Sequence, residues 1–224
     1  LWTRLGWRDI LNRYQRSLLG PLWLTISMGV LIGALGFLYA SIFKIDLSTY
    51  LPFLTVGFIL WQLISGILLD SCNTFVSAEG IIKQINLPLS IHVYRLIWKN
   101  ILTLCHNSIV IVVVMIIFDV DVGYHTFFLL AGLVLCILNG LWCALLLGLL
   151  CARFRDLGPT IGSLVQLSFF VTPIIWDPAL LPDKKFVLFY NPFYHFIESI
   201  RGPIPVSYTH LRAHETPEHR VWRL

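Results

Sequence analysis

The chain has 224 residues, 57% of them hydrophobic and 12% charged, with mean hydropathy +0.79 and net charge +4. Soluble domains carry roughly 25% charged residues, so a soluble globular fold is excluded, and the few charges are scattered among loops rather than gathered into a basic face for nucleic acid. Uncharged runs longer than about 18 residues recur without β-type alternation, which calls for an all-α integral membrane protein.

Residues 1–20 do not read as a cleavable signal peptide, because Arg4, Arg8, Asp9, Arg13 and Arg16 leave no apolar core ahead of a small-residue cleavage site. Residues 2–18 carry a helical amphipathic pattern instead. Trp7, Ile10, Leu11, Tyr14 and Leu18 share one arc, while Arg4, Arg8, Asp9, Asn12, Arg13, Gln15 and Arg16 take the other, with Trp2 and Leu5 breaking the pattern at its start. Such a helix suits the headgroup layer of a membrane, or a surface on a partner. At Gly20-Pro21 the regime changes: the chain is uncharged from Ser17 to Phe43, Gly weakens a helix, and Pro is best tolerated in the first turn of a new one.

A first span is expected at Leu22–Phe43, with Trp23 at its start and Lys44 and Asp46 closing it, and a second at Leu47–Leu69, with Pro52 near its beginning. At about 1.5 Å per residue each can cross a hydrocarbon core of roughly 30 Å. Asp70–Asn100 is the first long polar interruption. Pro88 divides it, so helical pieces are expected on either side of a break at Asn86-Leu87. Ile81, Ile82 and Ile85 fall on one helical face with Lys83 off it, which suits either docking on a partner or folding back onto the bundle. A third span follows at Ile101–Phe118. A fourth, about Thr126–Ala152, is long enough for tilt or a kink near Asn139-Gly140 and ends at Arg153-Phe154-Arg155-Asp156. A fifth, Leu157–Trp176, has Pro159 in its first turn and Pro173 in its last.

Asp177–Gly202 is apolar but broken by Asn191-Pro192, and reads as two short interfacial or re-entrant helices at about 183–201. From Pro203 the composition turns polar and His-rich; residues 203–224 look foreign to what precedes them, and the chain is expected to be cut near Arg201–Ile204. His210 and His214 lack the surroundings of a metal shell. Segments 1–21, 70–100 and 153–156 hold four, three and two Lys or Arg, whereas 44–46, 119–125 and 177–201 hold one, none and three. The excess places the N-terminus and the Asp70–Asn100 loop in the cytoplasm. The expectation is five spans with the N-terminus inside.

Cys72, Cys105, Cys136, Cys143 and Cys151 form no C-x-x-C pair and read as small hydrophobes. No nucleotide-binding P-loop occurs, so no cofactor is expected in this chain. Acidic side chains sit at span ends or in loops, where they serve neither an intramembrane enzyme nor a proton-coupled carrier. His106 is most simply a satisfied polar side chain. A non-enzymatic permease energised from elsewhere remains, beside a membrane scaffold with no transport path.

Four motifs in order then resemble one family. They are Arg8-Asp9…Arg13-Tyr14…Ser17-Leu-Leu-Gly20-Pro21-Leu-Trp23, then Ile81-Ile82-Lys83-Gln84-Ile85-Asn86-Leu87-Pro88, then Arg153-Phe-Arg155-Asp156, and last Pro173-Ile-Ile-Trp176 followed by Asn191-Pro192 and Glu198…Arg201. Over residues 1–202 this is similar to the ABC-2 type permeases that export lipid-linked polysaccharides, such as O-antigen (lipopolysaccharide), capsule and teichoic-acid exporters. The resemblance implies an ABC-2 type transmembrane domain in a bacterial inner membrane, paired with a second copy of itself and with two ATP-binding subunits that carry ATP and Mg. It implies that Ile81–Pro88 is the coupling helix seated in the ATPase, and that Arg13, Tyr14, Arg16, Gly20, Pro21 and Trp23 form the cytoplasmic approach to the first span. Arg153, Arg155 and Asp156 would form a cytoplasmic span end. The helices around Asn191-Pro192, with Pro173 and Trp176, would form an external gate. The family has six spans, and the last is expected to be missing here. Within the family a drug or small lipid is the alternative cargo.

Overall fold

The computed structural model describes residues 2–13, 15, 17–120, 128–176, 178 and 185–202. They form helices α1 (Trp2–Arg13), α2 (Leu22–Phe43), α3 (Leu47–Ser77), α4 (Glu79–Gln84), α5 (Ser90–Ile117), α6 (Phe128–Arg153), α7 (Leu157–Val171), α8 (Lys185–Phe189) and α9 (Pro192–Arg201), with no strand among the described residues. The expected all-α membrane fold is what the chain adopts.

Four of these helices, α2, α3, α5 and α6, are long and apolar enough to cross a membrane. They are not equivalent. In α3, 61% of the most apolar stretch is buried inside the chain, against 22% in each of the other three. α3 is therefore the axis, and α2, α5, α6, α7 and α9 all pack on it. The main core joins Val56, Leu60, Ile64 and Ile67 of α3 to Val93 and Ile97 of α5, Ala144 of α6, Val165 of α7 and Ile197 and Ile200 of α9. Ser65, Ser71 and Thr74 of α3 donate to carbonyls of their own preceding turn, at Trp61, Ile67 and Asp70, which satisfies these donors within the helix.

α6 presents Gly132, Cys136, Gly140, Ala144 and Gly148, a small residue every fourth position. This ridge lets its backbone approach neighbours closely. A Cβ at Gly140 would stand 3.1 Å from Ile67 Cδ1, and one at Gly148 2.8 Å from Phe75 Cε2. α6 is one helix through Asn139 and Gly140, and Gly140 is used for contact with α3.

Several boundaries differ from the sequence expectation. α1 closes at Arg13 rather than at residue 18, and residues 17–21 form bends and turns in which Gly20 takes φ +55. Pro21 then stands as the N-cap of α2 with φ −63, so the Gly-Pro join works as read. α3 outlasts its apolar run by about two turns, to Ser77, and Asp70 in this extension is met by Lys99 and Asn100 of α5. α5 likewise begins at Ser90, well before Ile101. α7 is shorter than the expected fifth span: it stops at Val171. Thr172 adopts φ −87, ψ 133, the extended conformation forced on a residue before proline, and Pro173 has no N–H to continue the ladder. A 15-residue helix spans only about 22 Å. Residues 172–176 continue from it in irregular, largely buried backbone. A Cβ at Gly158 would meet Cys72 at one end of α3, while the Tyr50 hydroxyl donates to the Ile175 carbonyl (2.6 Å) at the other. Those two levels are about 33 Å apart along α3. Thr126 and Phe127 of the expected fourth span, residues 183–184 of the expected gate pair, and residues 203–224 with His210 and His214 lie outside the described residues.

Candidate functional site

The chemistry-bearing residues gather at the two ends of α3. At its C-terminal end a single residue, Ala78, separates α3 from α4. α4 buries no residue. Its Glu79 carboxylate accepts from the Lys83 ammonium (2.5 Å); that contact, with a smaller attraction from Arg155, holds the carboxyl below the usual carboxylate range. Ile81 and Ile85 are 44% and 54% exposed. The sequence placed Ile81, Ile82 and Ile85 on one face, and the structure divides them. Ile82 is half-buried against the core, while Ile85 lies past the helix end in extended backbone. Gln84, Asn86 and Pro88 are exposed and Leu87 is half-buried, in the break that precedes α5.

Behind α4 lies a cleft of about 340 Å³ whose wall includes Asp9, Asp70, Ile81, His92, Arg95 and Lys99. Its charges are paired across elements. Arg95 donates to both oxygens of Asp9 (2.6 and 2.5 Å), and Lys99 meets Asp70 at 2.6 Å. α1 reaches this cleft by crossing α5 at Gly6, where a Cβ would stand 3.1 Å from the Arg95 carbonyl. Trp2 packs on Tyr94 and Trp98. Of the expected apolar arc, Ile10 turns inward at 3% exposure, whereas Trp7 and Leu11 stay exposed. Trp7 stacks on His106, and His106 Nδ1 lies 2.8 Å from the Leu102 carbonyl, which satisfies it as expected. Tyr14 and Arg16, and the side chain of Arg13, are outside the described residues; Trp23 is half-exposed at the start of α2.

The corner between α6 and α7 belongs to the same end. Arg153 and Asp156 are exposed, with Arg153 over the Phe154 ring at 5.9 Å. Arg155 lines a second cavity, about 470 Å³, with Cys72, Asn73 and Cys151. The structure thus brings α1, α4 and residues 153–156 together, three segments far apart in sequence.

At the other end of α3 the polar groups are closed in. Asn191 caps α9, its Oδ1 accepting from the Phe193 and Tyr194 amides and its Nδ2 donating to Thr172 Oγ1 (2.9 Å). Pro192 takes the first helical position. Pro173 and Ile174 are buried, and Trp176 Nε1 donates to the Phe170 carbonyl. Arg201, 1% exposed, donates to the Pro173 carbonyl and to Glu198, and lies on the Phe53 ring. Sequence reasoning gave roles to neither Asp9–Arg95 nor Arg201. The usable signals were a single acid inside a basic helix and a cation inside an apolar one.

The ABC-2 type transporter family matches residues 1–204. Two proteins from Klebsiella pneumoniae, each described as O-antigen export system permease protein RfbA, are 24% and 23% identical over 208 residues, covering 87% of this chain and 76% of each relative. With its helical membrane bundle, and a family match over nearly all of its length, the chain belongs to the ABC-2 type transporters.

Proposed function

We propose that the chain is the permease subunit of an ATP-driven exporter of a lipid-linked polysaccharide. It works as a homodimer with two copies of a separate ATP-binding subunit, which carries ATP, Mg and the hydrolytic chemistry. The α4 end faces the cytoplasm of a bacterial inner membrane, and α8–α9 face outward. The observation that carries this reading is α4 itself. A six-residue helix that fully buries none of its residues, hangs on α3 by one residue, and exposes Ile81 with Ile85 just past its end leaves those two isoleucines without a folding reason, and seating in a partner's groove supplies one. The cargo assignment draws support from the two O-antigen export relatives. Glycosyltransferase genes beside this one would strengthen it, and drug-resistance genes would favour a small lipophilic cargo.

The test is co-purification of the permease with its ATP-binding subunit. Ile81→Asp with Ile85→Asp, both at exposed positions, is expected to reduce capture by about tenfold or more with membrane expression unchanged. Undiminished capture would remove α4 from the interface. Ile82→Asp is expected to lower expression instead, since Ile82 belongs to the bundle.

A further inference from the structure

The buried end of the molecule holds a group that the export reading does not use. Arg201 is 1% exposed among apolar neighbours, at a depth where ionisable side chains are costly and are kept for a purpose. Its three contacts come from three elements. The guanidinium carbon lies 4.0 Å from the centroid of Phe53 on α3. Nη1 donates to the Pro173 carbonyl in the turn after α7 (3.1 Å), and Nη2 pairs with Glu198 on α9 itself (2.9 Å). One turn along α3 from Phe53, a Cβ at Gly57 would stand 3.5 Å from Nη1, so the head lies directly against this face of α3. Among the described residues Arg201 Nε finds no acceptor. A buried ion pair left partly unsatisfied contributes little net stability and is better suited to fixing one arrangement over others.

α3 joins this groove to the opposite end. It is one helix of 31 residues, about 46 Å long, and α4 follows after Ala78 alone. We infer that Arg201 is a positioning residue that clamps the α8–α9 pair to the far end of α3, so that a displacement of α4 reaches the outer pair through one rigid rod. This rests on the export reading, in which an ATPase moves α4. The planar fork matters: only a guanidinium can stack on Phe53 while donating in two directions.

The experiment uses the complete permease with its ATP-binding subunit, purified into nanodiscs. The five native cysteines are replaced by alanine, and a reporter Leu188→Cys is placed on the buried side of α8. The readout is the rate of labelling by a maleimide fluorophore, with and without ATP and vanadate, beside the ATPase rate. Arg201→Met is expected to label about tenfold faster than its parent without nucleotide and to lose the response to ATP, with the ATPase still bound and turning over. Arg201→Lys is expected to keep the ATPase rate as well, without restoring the labelling response. An assembled Arg201→Met complex that keeps the parent's labelling rate and ATP response would overturn the clamp, and full rescue by lysine would overturn its fork geometry. Should Arg201→Met fail to assemble, Phe53→Leu is read against the same two outcomes. If the parent itself ignores ATP, the export reading fails; the nucleotide-free rate then judges the clamp alone, faster or unchanged.

Discussion

The two ends of α3 are built on opposite terms. At the α9 end, Arg201, Asn191 and Thr172 are each less than a tenth exposed and bond one another's elements. At the α4 end, Glu79 and Lys83 pair in the open, Ile81 and Ile85 face outward, and a cleft stands behind them. At one end the polar groups of α9 and of the turn after α7 are closed in by the chain itself. The other has spare surface and little stability of its own at stake. Their difference separates a part that holds its shape from a part shaped for something to act on.

That contrast can be broken most sharply with two glycines. A Cβ at Gly132 would stand 2.7 Å from Ile200 Cγ1 and 3.3 Å from the Ser199 carbonyl, so α9 itself must move. Gly132→Val is expected to cost about 1–3 kcal/mol, read as a lower midpoint of thermal unfolding in detergent. Gly80 on α4 has nothing within 4 Å, and Gly80→Ala is expected to be neutral or to stabilise by up to about 1 kcal/mol through helix propensity. Equal losses at the two positions would erase the distinction.

A smaller effect is expected from Asn191→Ala. It removes an N-cap and the bond to Thr172, at about 1–2 kcal/mol, and should appear as faster proteolysis confined to α8–α9. Loss spread evenly over the bundle would show that the α9 end is not a separate lock. The smallest effect belongs to Glu79 and Lys83. Lys83 depresses the Glu79 carboxyl, so the pair's contribution is complete above the unfolded glutamate value and disappears only as pH falls through the lower folded one. Capture of the ATP-binding subunit should therefore be flat across neutral pH in the wild type and in Glu79→Gln alike. A neutral-pH dependence lost in Glu79→Gln would give this exposed pair a weight its surroundings do not support.

Much of this was legible in the residues. The apolar runs of α2 and α6 end where charge begins, the polar break before α5 falls at the expected Asn86-Leu87, and Asn191-Pro192 starts a helix by capping chemistry that any sequence shows. The fifth span was legible only in extent. Pro173 was read as lying in its last turn, although proline had already ended the helix two residues earlier. On α1, Trp7, Ile10 and Leu11 were grouped on one arc for the headgroup layer or a partner, and of these three only Ile10 turns in against the bundle, because periodicity reports a face and not what the face meets.

By itself, then, the sequence determined that this is a helical membrane protein and which short segments stand apart from its long apolar helices, because hydrophobic length and local backbone chemistry are properties of neighbouring residues. Only the tertiary structure decided that α3 is the axis, that Asp9 answers Arg95 across 86 positions, that α1, α4 and residues 153–156 share one end, and that Arg201 closes the other. Those facts depend on which helix faces meet. In a membrane every long helix is apolar on all sides, so hydrophobic patterning carries little of that information, and small residues and a few buried polar pairs supply it instead.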